Sequence, residues 1–115
     1  MPIYLGSDNA IVIKDLYDPW ESSGTGAYIT SGTVSAQIKD TTGATPGSGT
    51  NIGSAITLSY YAARAGVAGN YWVGVIEEDA ALSADTEVDV VITATASSDR
   101  VFAVTKREPV IRRTS

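Results

Sequence analysis

The chain has 115 residues and contains neither cysteine nor histidine. Without cysteine it forms no disulfide, thiolate metal site or thiol nucleophile, so its stability must come from packing and backbone hydrogen bonds. Without histidine it lacks the commonest general base. No G-x-S-x-G motif is present either. These absences argue against an enzyme, and we expect no catalytic residue, no metal and no other cofactor.

Long apolar runs are also missing. No stretch approaches the roughly 20 apolar residues that a membrane-spanning helix needs. The first residues, M-P-I-Y-L-G-S-D, lack the basic start and apolar segment of a signal peptide. We therefore expect a soluble protein that is made in the cytoplasm, is not exported and has no membrane partner. The length predicts one domain.

Basic residues are scarce except at the C-terminal end. Residues 1 to 99 hold three basic and twelve acidic side chains, a net charge of −9, whereas residues 100 to 115 hold five basic and one acidic, a net charge of +4. The sequence thus describes an acidic body with a basic end.

What the chain does have is alternation of polar and apolar residues. In D-T-E-V-D-V-V-I-T-A-T-A, residues 85 to 96, Val88, Val90 and Ile92 fall on one face while Glu87 and Asp89 fall on the other. A period of two is typical of a half-buried strand. The pattern predicts a strand here, and a short polar turn at 97 to 99 predicts a hairpin with the next strand.

The same reasoning predicts six strands, at residues 9–16, 28–40, 56–60, 69–78, 85–96 and 100–106. Gly32 suits a bulge in the second strand. Residues 62 to 66 leave open a single helical turn, and the glycine-rich residues 41 to 53 predict a surface loop, the least ordered interior segment. Short strands without a long helix favour an all-β fold, an antiparallel two-sheet sandwich or a small barrel.

We predict one β-sandwich domain over residues 1 to 108 and a basic C-terminal tail over residues 109 to 115. The alternation places a specific set of side chains in the core: Val34, Ala36, Ile38, Val88, Val90, Ile92 and at least one of Tyr71 and Trp72. After Pro109 the tail, V-I-R-R-T-S, has nothing to hold it unless it meets a partner.

The acidic residues offer only weak catalytic or metal-binding candidates. Glu77, Glu78 and Asp79 could supply oxygens to calcium, but side chains at a strand end diverge and the calcium-loop pattern is absent. Glu78, Glu87 and Asp89 are the acids to consider for glycoside hydrolysis, which needs a defined separation across a cleft. A solvated acidic surface is the ordinary explanation for both sets.

Aromatic and basic residues carry the interaction hypotheses. Trp20 follows Pro19 in a polar segment, where a core tryptophan is unexpected, so it is a candidate interface anchor. The basic end could neutralise nucleic-acid phosphates, but the acidic body would repel a duplex and no aromatic residues accompany the arginines, so we expect no nucleic-acid partner. Docking of the tail on an acidic neighbouring copy fits better. Its candidate residues are Arg107, Val110, Ile111, Arg112 and Arg113.

The order of features also resembles a known group. The phrases N-A-I-V-I-K-D-L-Y-D, Y-I-T-S-G-T-V-S-A-Q-I-K-D-T-T-G, G-N-Y-W-V-G-V-I and D-V-V-I-T-A-T-A, spread over roughly residues 9 to 104, are similar to small immunoglobulin-like β-sandwich proteins of tailed bacteriophages. The resemblance implies a virion component that decorates the head, builds the neck or adapts tail parts, with no catalytic residues to carry over. The terminal K-R-E-P-V-I-R-R-T-S does not match that pattern.

Two functions from different classes therefore stand as expectations. The first is a structural virion protein that assembles with other virion subunits, itself forming a homo-oligomer. The second is a module that binds carbohydrate on a host surface, which predicts that Trp20, Tyr61 and Trp72 are exposed together.

Overall fold

The computed structural model describes residues 2–19, 26–77, 80–96 and 101–112, and this part of the chain is built from strands alone. The nine strands are β1 (Ile3–Leu5), β2 (Asn9–Lys14), β3 (Tyr17–Asp18), β4 (Ala27–Tyr28), β5 (Thr33–Lys39), β6 (Ile56–Arg64), β7 (Val67–Ile76), β8 (Thr86–Thr95) and β9 (Val101–Arg112). The predicted all-β class is confirmed. No helix among these residues is long and apolar enough to cross a membrane.

Seven strands form one mixed sheet in the order β1-β9-β8-β5-β6-β7-β2, and β3 pairs with β4 in a small second sheet. All pairs are antiparallel except β1 with β9, which run parallel with Ile3 beside Val110. The expectation of a wholly antiparallel fold is therefore wrong at this pair. Sequence patterns could not reveal the pair, because β1 has three residues and its partner is more than 100 positions away.

The sheet bends at β6. The first half of this strand pairs with β5, with Leu58 opposite Val34, and the second half pairs with β7, with Tyr60 opposite Trp72. At the other end the Asn9 amide joins β1 to β2, since Tyr4 N–H donates to Asn9 Oδ1 at 2.9 Å and Asn9 Nδ2 donates to the Tyr4 carbonyl at 2.9 Å. The sheet is thus mostly closed around one core.

The core confirms the period-two prediction. All of the predicted residues are buried, including both Tyr71 and Trp72, and Val34 and Ala36 have no exposed surface. Buried side chains from all seven strands of the large sheet, Trp72 among them, form one cluster with Ile29, which follows β4. The Trp72 indole N–H donates to the Ile29 carbonyl at 2.8 Å, which satisfies the one polar atom that this ring brings into the interior.

The structure settles one local question that the sequence left open and divides one predicted strand. Residues 62 to 66 do not form a helical turn: β6 and β7 join through Ala65 and Gly66, both with positive φ (51° and 79°), the geometry of a two-residue type I′ hairpin. The predicted strand over 28 to 40 is divided near Gly32, whose φ is 97°. A Cβ at position 32 would collide with the Thr95 carbonyl oxygen, so glycine is required there.

The predicted domain boundary at residue 108 is also corrected. Residues 109 to 112 belong to β9, where Val110 lies opposite Thr86 on one side and Ile3 on the other and is completely buried. Pro109 fits a strand because the N–H and C=O groups of successive residues in β9 point alternately toward β8 and away from it. Asp85 N–H donates to the Val110 carbonyl at 2.9 Å, so the neighbouring position 109 turns its missing N–H away from β8.

Truncation after Glu108 should consequently destabilise the domain. Burial of a valine side chain contributes about 1.5–3 kcal/mol, a large share of a total stability of roughly 5–15 kcal/mol, and β1 would also lose its partner. We expect the melting temperature measured by circular dichroism to fall well below that of the full chain. Truncation after Arg112 is the matched control and should melt like the full chain. Equal melting of all three proteins would show that β9 contributes nothing beyond Glu108.

Candidate interaction surfaces

Arg107, a predicted interaction residue, forms an ion pair within the chain. Asp89 on β8 lies opposite Arg107 on β9. Arg107 Nε donates to Asp89 Oδ1 at 2.8 Å and Arg107 Nη2 donates to Asp89 Oδ2 at 3.1 Å, a bidentate contact. The Asp89 side chain is 1% exposed, whereas that of Arg107 is 43% exposed. Arg107 is therefore engaged in holding its own domain together.

The third member of this cluster comes from the glycine-rich loop. Gly47 N–H donates to Asp89 Oδ2 at 2.9 Å. Gly47 has a φ of 82°, and a Cβ there would lie 2.8 Å from Thr105 Oγ1. The loop thus lies on the outer face of β8 and β9 and covers the Asp89 carboxylate, which explains the burial of an acid that the alternation places on the solvent side.

Hydrogen bonds hold both ends of the same loop. Asp40 Oδ1 accepts from Thr42 Oγ1 at 2.6 Å and from Thr50 N–H at 2.9 Å. Gln37 Nε2 donates to the Gly53 carbonyl at 3.1 Å. Residues 41 to 53 were expected to be the least ordered interior segment, but these contacts tie the loop to β5. Sequence reasoning missed the arrangement because most of these hydrogen bonds join a side chain to a backbone group, and a backbone group carries no residue-specific signal.

Both loop-holding acids have lowered pKa values. Hydrogen bonds from Arg107 and then from Gly47 N–H lower the pKa of Asp89 against the opposing effect of burial. Hydrogen bonds from Thr42 and Thr50 lower the pKa of Asp40. In both cases the charged form is the one that the fold stabilises.

Of the remaining predicted site residues, the structure describes Val110, Ile111 and Arg112, which follow one another on β9. Val110 is buried in the core and is not free to dock on a neighbour, whereas Ile111 is half-buried and its backbone pairs with Tyr4 of β1. Arg112 ends β9 opposite Leu5. Trp20 and Arg113 lie outside the described residues, as do Glu78 and Asp79 of the acidic segment. Within the described chain no three acidic, histidine or cysteine side chains are grouped as metal ligands.

An apolar surface covers the outer side of β2 and β7 and borders the exposed Ser59 and Tyr61 of β6. Register places Ala10 beside Val75, and Val12 beside Val73, on the face opposite to Ile11, Ile13 and Trp72. Of these outer residues Val75 is 42% exposed, and Tyr61, farther along the same face on β6, is 53% exposed. We call this surface the outer apolar face. At the border of the outer apolar face, the Lys14 ammonium lies 5.7 Å from the centre of the Tyr71 ring.

A second exposed feature is an aromatic pair on the small sheet. The rings of Tyr17 and Tyr28 meet edge to face with centroids 5.5 Å apart, and each is close to half exposed. Beside Tyr28 lies a cleft of about 200 Å³ that is also lined by Thr30, Ser31 and the buried Asp18. The backbone of its wall is fixed, because Ile29 N–H donates to the Leu16 carbonyl at 2.7 Å and the Ile29 carbonyl accepts from Trp72.

Comparison with known proteins adds no relative. No family model matches the chain, and no curated protein and no solved structure matches it.

The Asp89 cluster predicts a pH dependence of stability. A folded-state pKa below the unfolded value means that the contribution is complete above about pH 4 and is lost as pH falls through the folded pKa. Asp89→Asn should lower the melting temperature by several degrees at pH 7 and should flatten the loss of stability below about pH 4. Asp85→Asn, the same chemical change at an exposed acid just before the same strand, should leave that acid slope unchanged. Parallel acid slopes for the parent and Asp89→Asn would contradict the assignment.

Proposed function

We propose that this chain is a non-enzymatic structural subunit of a tailed-phage virion, at the head, neck or tail, that assembles with other virion proteins. The sequence phrases given above motivate the phage context. The outer apolar face is the observation that carries the assembly role, because a contiguous exposed apolar patch is a common mark of a protein contact surface.

We also propose that the fold is an immunoglobulin-like sandwich, and the strand order supports this. Immunoglobulin-like sandwiches pair their third, sixth and seventh strands in one layer and their second, fifth and fourth in the other. Here β5, β8 and β9 are consecutive neighbours, and so are β2, β7 and β6. The change of partners along β6 supplies a corner between two such layers. Antibody domains have a core disulfide and a buried tryptophan on the third strand. This chain has no cysteine, and its buried tryptophan is Trp72 on β7.

The outer apolar face lies on the layer formed by β2, β7 and β6, whereas the corresponding side of β8 is covered by the loop that Asp89 holds. The two sides of the domain therefore differ in chemistry. The loop-covered side presents hydroxyl and charged groups, and the other presents valine and tyrosine. We propose that the latter packs against a neighbouring virion subunit.

Val75→Glu tests this proposal. The residue is exposed, so the domain should retain its melting temperature, but a carboxylate buried without a partner in a subunit contact costs several kcal/mol. Particles of the phage that encodes the chain should incorporate far less of the variant, measured by mass spectrometry of purified particles against the major capsid protein. Thr33→Glu, exposed on β5 on the other side of the domain, is the control and should be incorporated normally. Absence of the parent chain from purified particles would refute the virion role.

Carbohydrate binding is the second candidate function. The predicted platform of Trp20, Tyr61 and Trp72 does not form, because Trp72 is buried. Tyr17 and Tyr28 offer a different platform, since exposed aromatic faces stack on sugar rings and the hydroxyl-bearing residues Thr30 and Ser31 line the adjoining cleft.

Saturation-transfer NMR with maltotriose and cellotriose checks the second candidate. If the cleft binds saccharide, sugar ring protons should receive magnetisation from the parent, and Tyr28→Ala should abolish the transfer. Tyr61→Ala removes a comparably exposed tyrosine from β6 and should leave the transfer unchanged. Absence of transfer to both sugars would reject this candidate.

A further inference from the structure

The edge of β9 that faces away from β8 is covered by another strand over only part of its length. β1 covers β9 only at residues 110 to 112, and no other strand in the described part of the chain pairs with that edge. The uncovered portion begins at Val101 and is nearly all exposed, with Val101 at 63% and Val104 at 49%. An uncovered strand edge presents a row of unpaired backbone groups that can accept another strand.

The direction of these backbone groups follows from the ladder with β8. The Val110 carbonyl points to β8, where it accepts from Asp85 N–H, and β9 pairs with β8 without a register shift from Val101 to Val110. Backbone groups alternate along a strand, so even-numbered residues of β9 face β8 and odd-numbered residues face outward. Val101, Ala103, Thr105 and Arg107 therefore present their N–H and C=O groups at the open edge.

The side chains along this edge do not prevent pairing. The sequence V-F-A-V-T over residues 101 to 105 carries no charge and is rich in β-forming residues. Native edges are commonly protected by charge and proline, and here that protection begins only with K-R-E-P at residues 106 to 109. The position of Pro109 ends the open ladder, because its outward-facing nitrogen has no hydrogen to donate.

We propose that residues 101 to 107 of β9 pair antiparallel with the same residues of a second copy, about a two-fold axis at Val104. In this register Ala103 faces Thr105 of the other copy and Val101 faces Arg107, so all four outward-facing positions have backbone partners. Lys106 lies opposite Phe102, and no like charges face each other. Moving the register by two residues toward the C-terminus would bring Pro109 opposite Val101 twice, once from each copy, and neither of these Val101 carbonyls would find a donor.

A second copy suits this edge better than an unrelated strand because the pattern is self-complementary. Val104, half exposed in the single chain, meets its own equivalent at the centre. Arg107 is already neutralised by Asp89 of its own chain, so it brings no unpaired charge to the contact. A two-fold pairing also closes, and thus yields a dimer with one continuous sheet rather than a filament.

Ala103→Pro tests the hydrogen-bonding direction. Its N–H points outward, so proline removes a donor from the open edge and none from the ladder with β8. Sedimentation equilibrium of the parent should show a species of twice 12.0 kDa that grows with concentration, and the variant should sediment as a monomer. Ala103→Val, which keeps the N–H, should dimerise like the parent. A parent that is monomeric up to about 1 mM, or a folded proline variant that still dimerises, would overturn the proposal.

Single-cysteine cross-linking provides a second measurement that holds even if the proline variant fails to fold. The parent has no cysteine, so Val104→Cys introduces one thiol per chain. Directly opposed residues at a non-hydrogen-bonded pair have Cα atoms about 4.5 Å apart, within the range that a disulfide spans. Diamide should cross-link this variant much faster than Tyr61→Cys, which is equally exposed. Equal or slower cross-linking at position 104 would overturn the proposal.

This inference names a second copy as a partner in the assembly role proposed above, but its test is independent of the phage particle. A dimer that never enters particles would sustain the edge pairing and refute the virion role. A chain that enters particles yet stays monomeric in solution, without cross-linking at position 104, would do the reverse.

Discussion

The buried face of β8 is the constraint on which the rest of the domain depends. Val88, Val90, Ile92 and Ala94 lie on that face, and β8 pairs along its whole length with β9 and over seven residues with β5. A slip of one residue in either ladder would turn these side chains to the outside, so burial fixes both registers together. The outward residue Asp89 is then placed opposite Arg107 and beneath Gly47. The ion pair and the position of the loop are consequences of the core.

Both ends of the described chain contribute to closure. Ile3 and Val110, more than 100 positions apart, are side by side in a parallel pair and both are buried. The Asn9 side chain then joins β1 to β2 by hydrogen bonds to the backbone of Tyr4. Long-range pairing of this kind is costly in loop entropy, which core burial must offset. The basic residues near the C-terminal end are therefore interleaved with structural ones.

The sequence was informative wherever one strand face was buried and the other was solvated. The alternation in β5 and β8 predicted the core, because burial selects side chains directly. It was uninformative for pairs held by backbone groups, as in β1 with β9, and for the loop of residues 41 to 53. It misjudged Asp89, since whether an outward carboxylate is solvated depends on what covers it. The sequence also gave no sign of the cleft beside Tyr28. The wall of this cleft is held by the Trp72 indole N–H, which donates to the Ile29 carbonyl although the two residues are distant in sequence.

The open edge of β9 follows from how the strands share the closure of the sheet. A β1 of only three residues closes the gap between β2 and β9 near the C-terminal end of β9 and leaves the earlier part of that strand uncovered. The charges and the proline of K-R-E-P protect the part of the β9 edge nearest β1 against pairing with another strand. An added strand there would compete with β1, which closes the sheet. The uncharged portion beyond it lies far enough from β1 that pairing there would extend the sheet without opening the core. An edge that is protected near the closure and unprotected beyond it is what a domain needs if it is to associate through a strand and still fold alone.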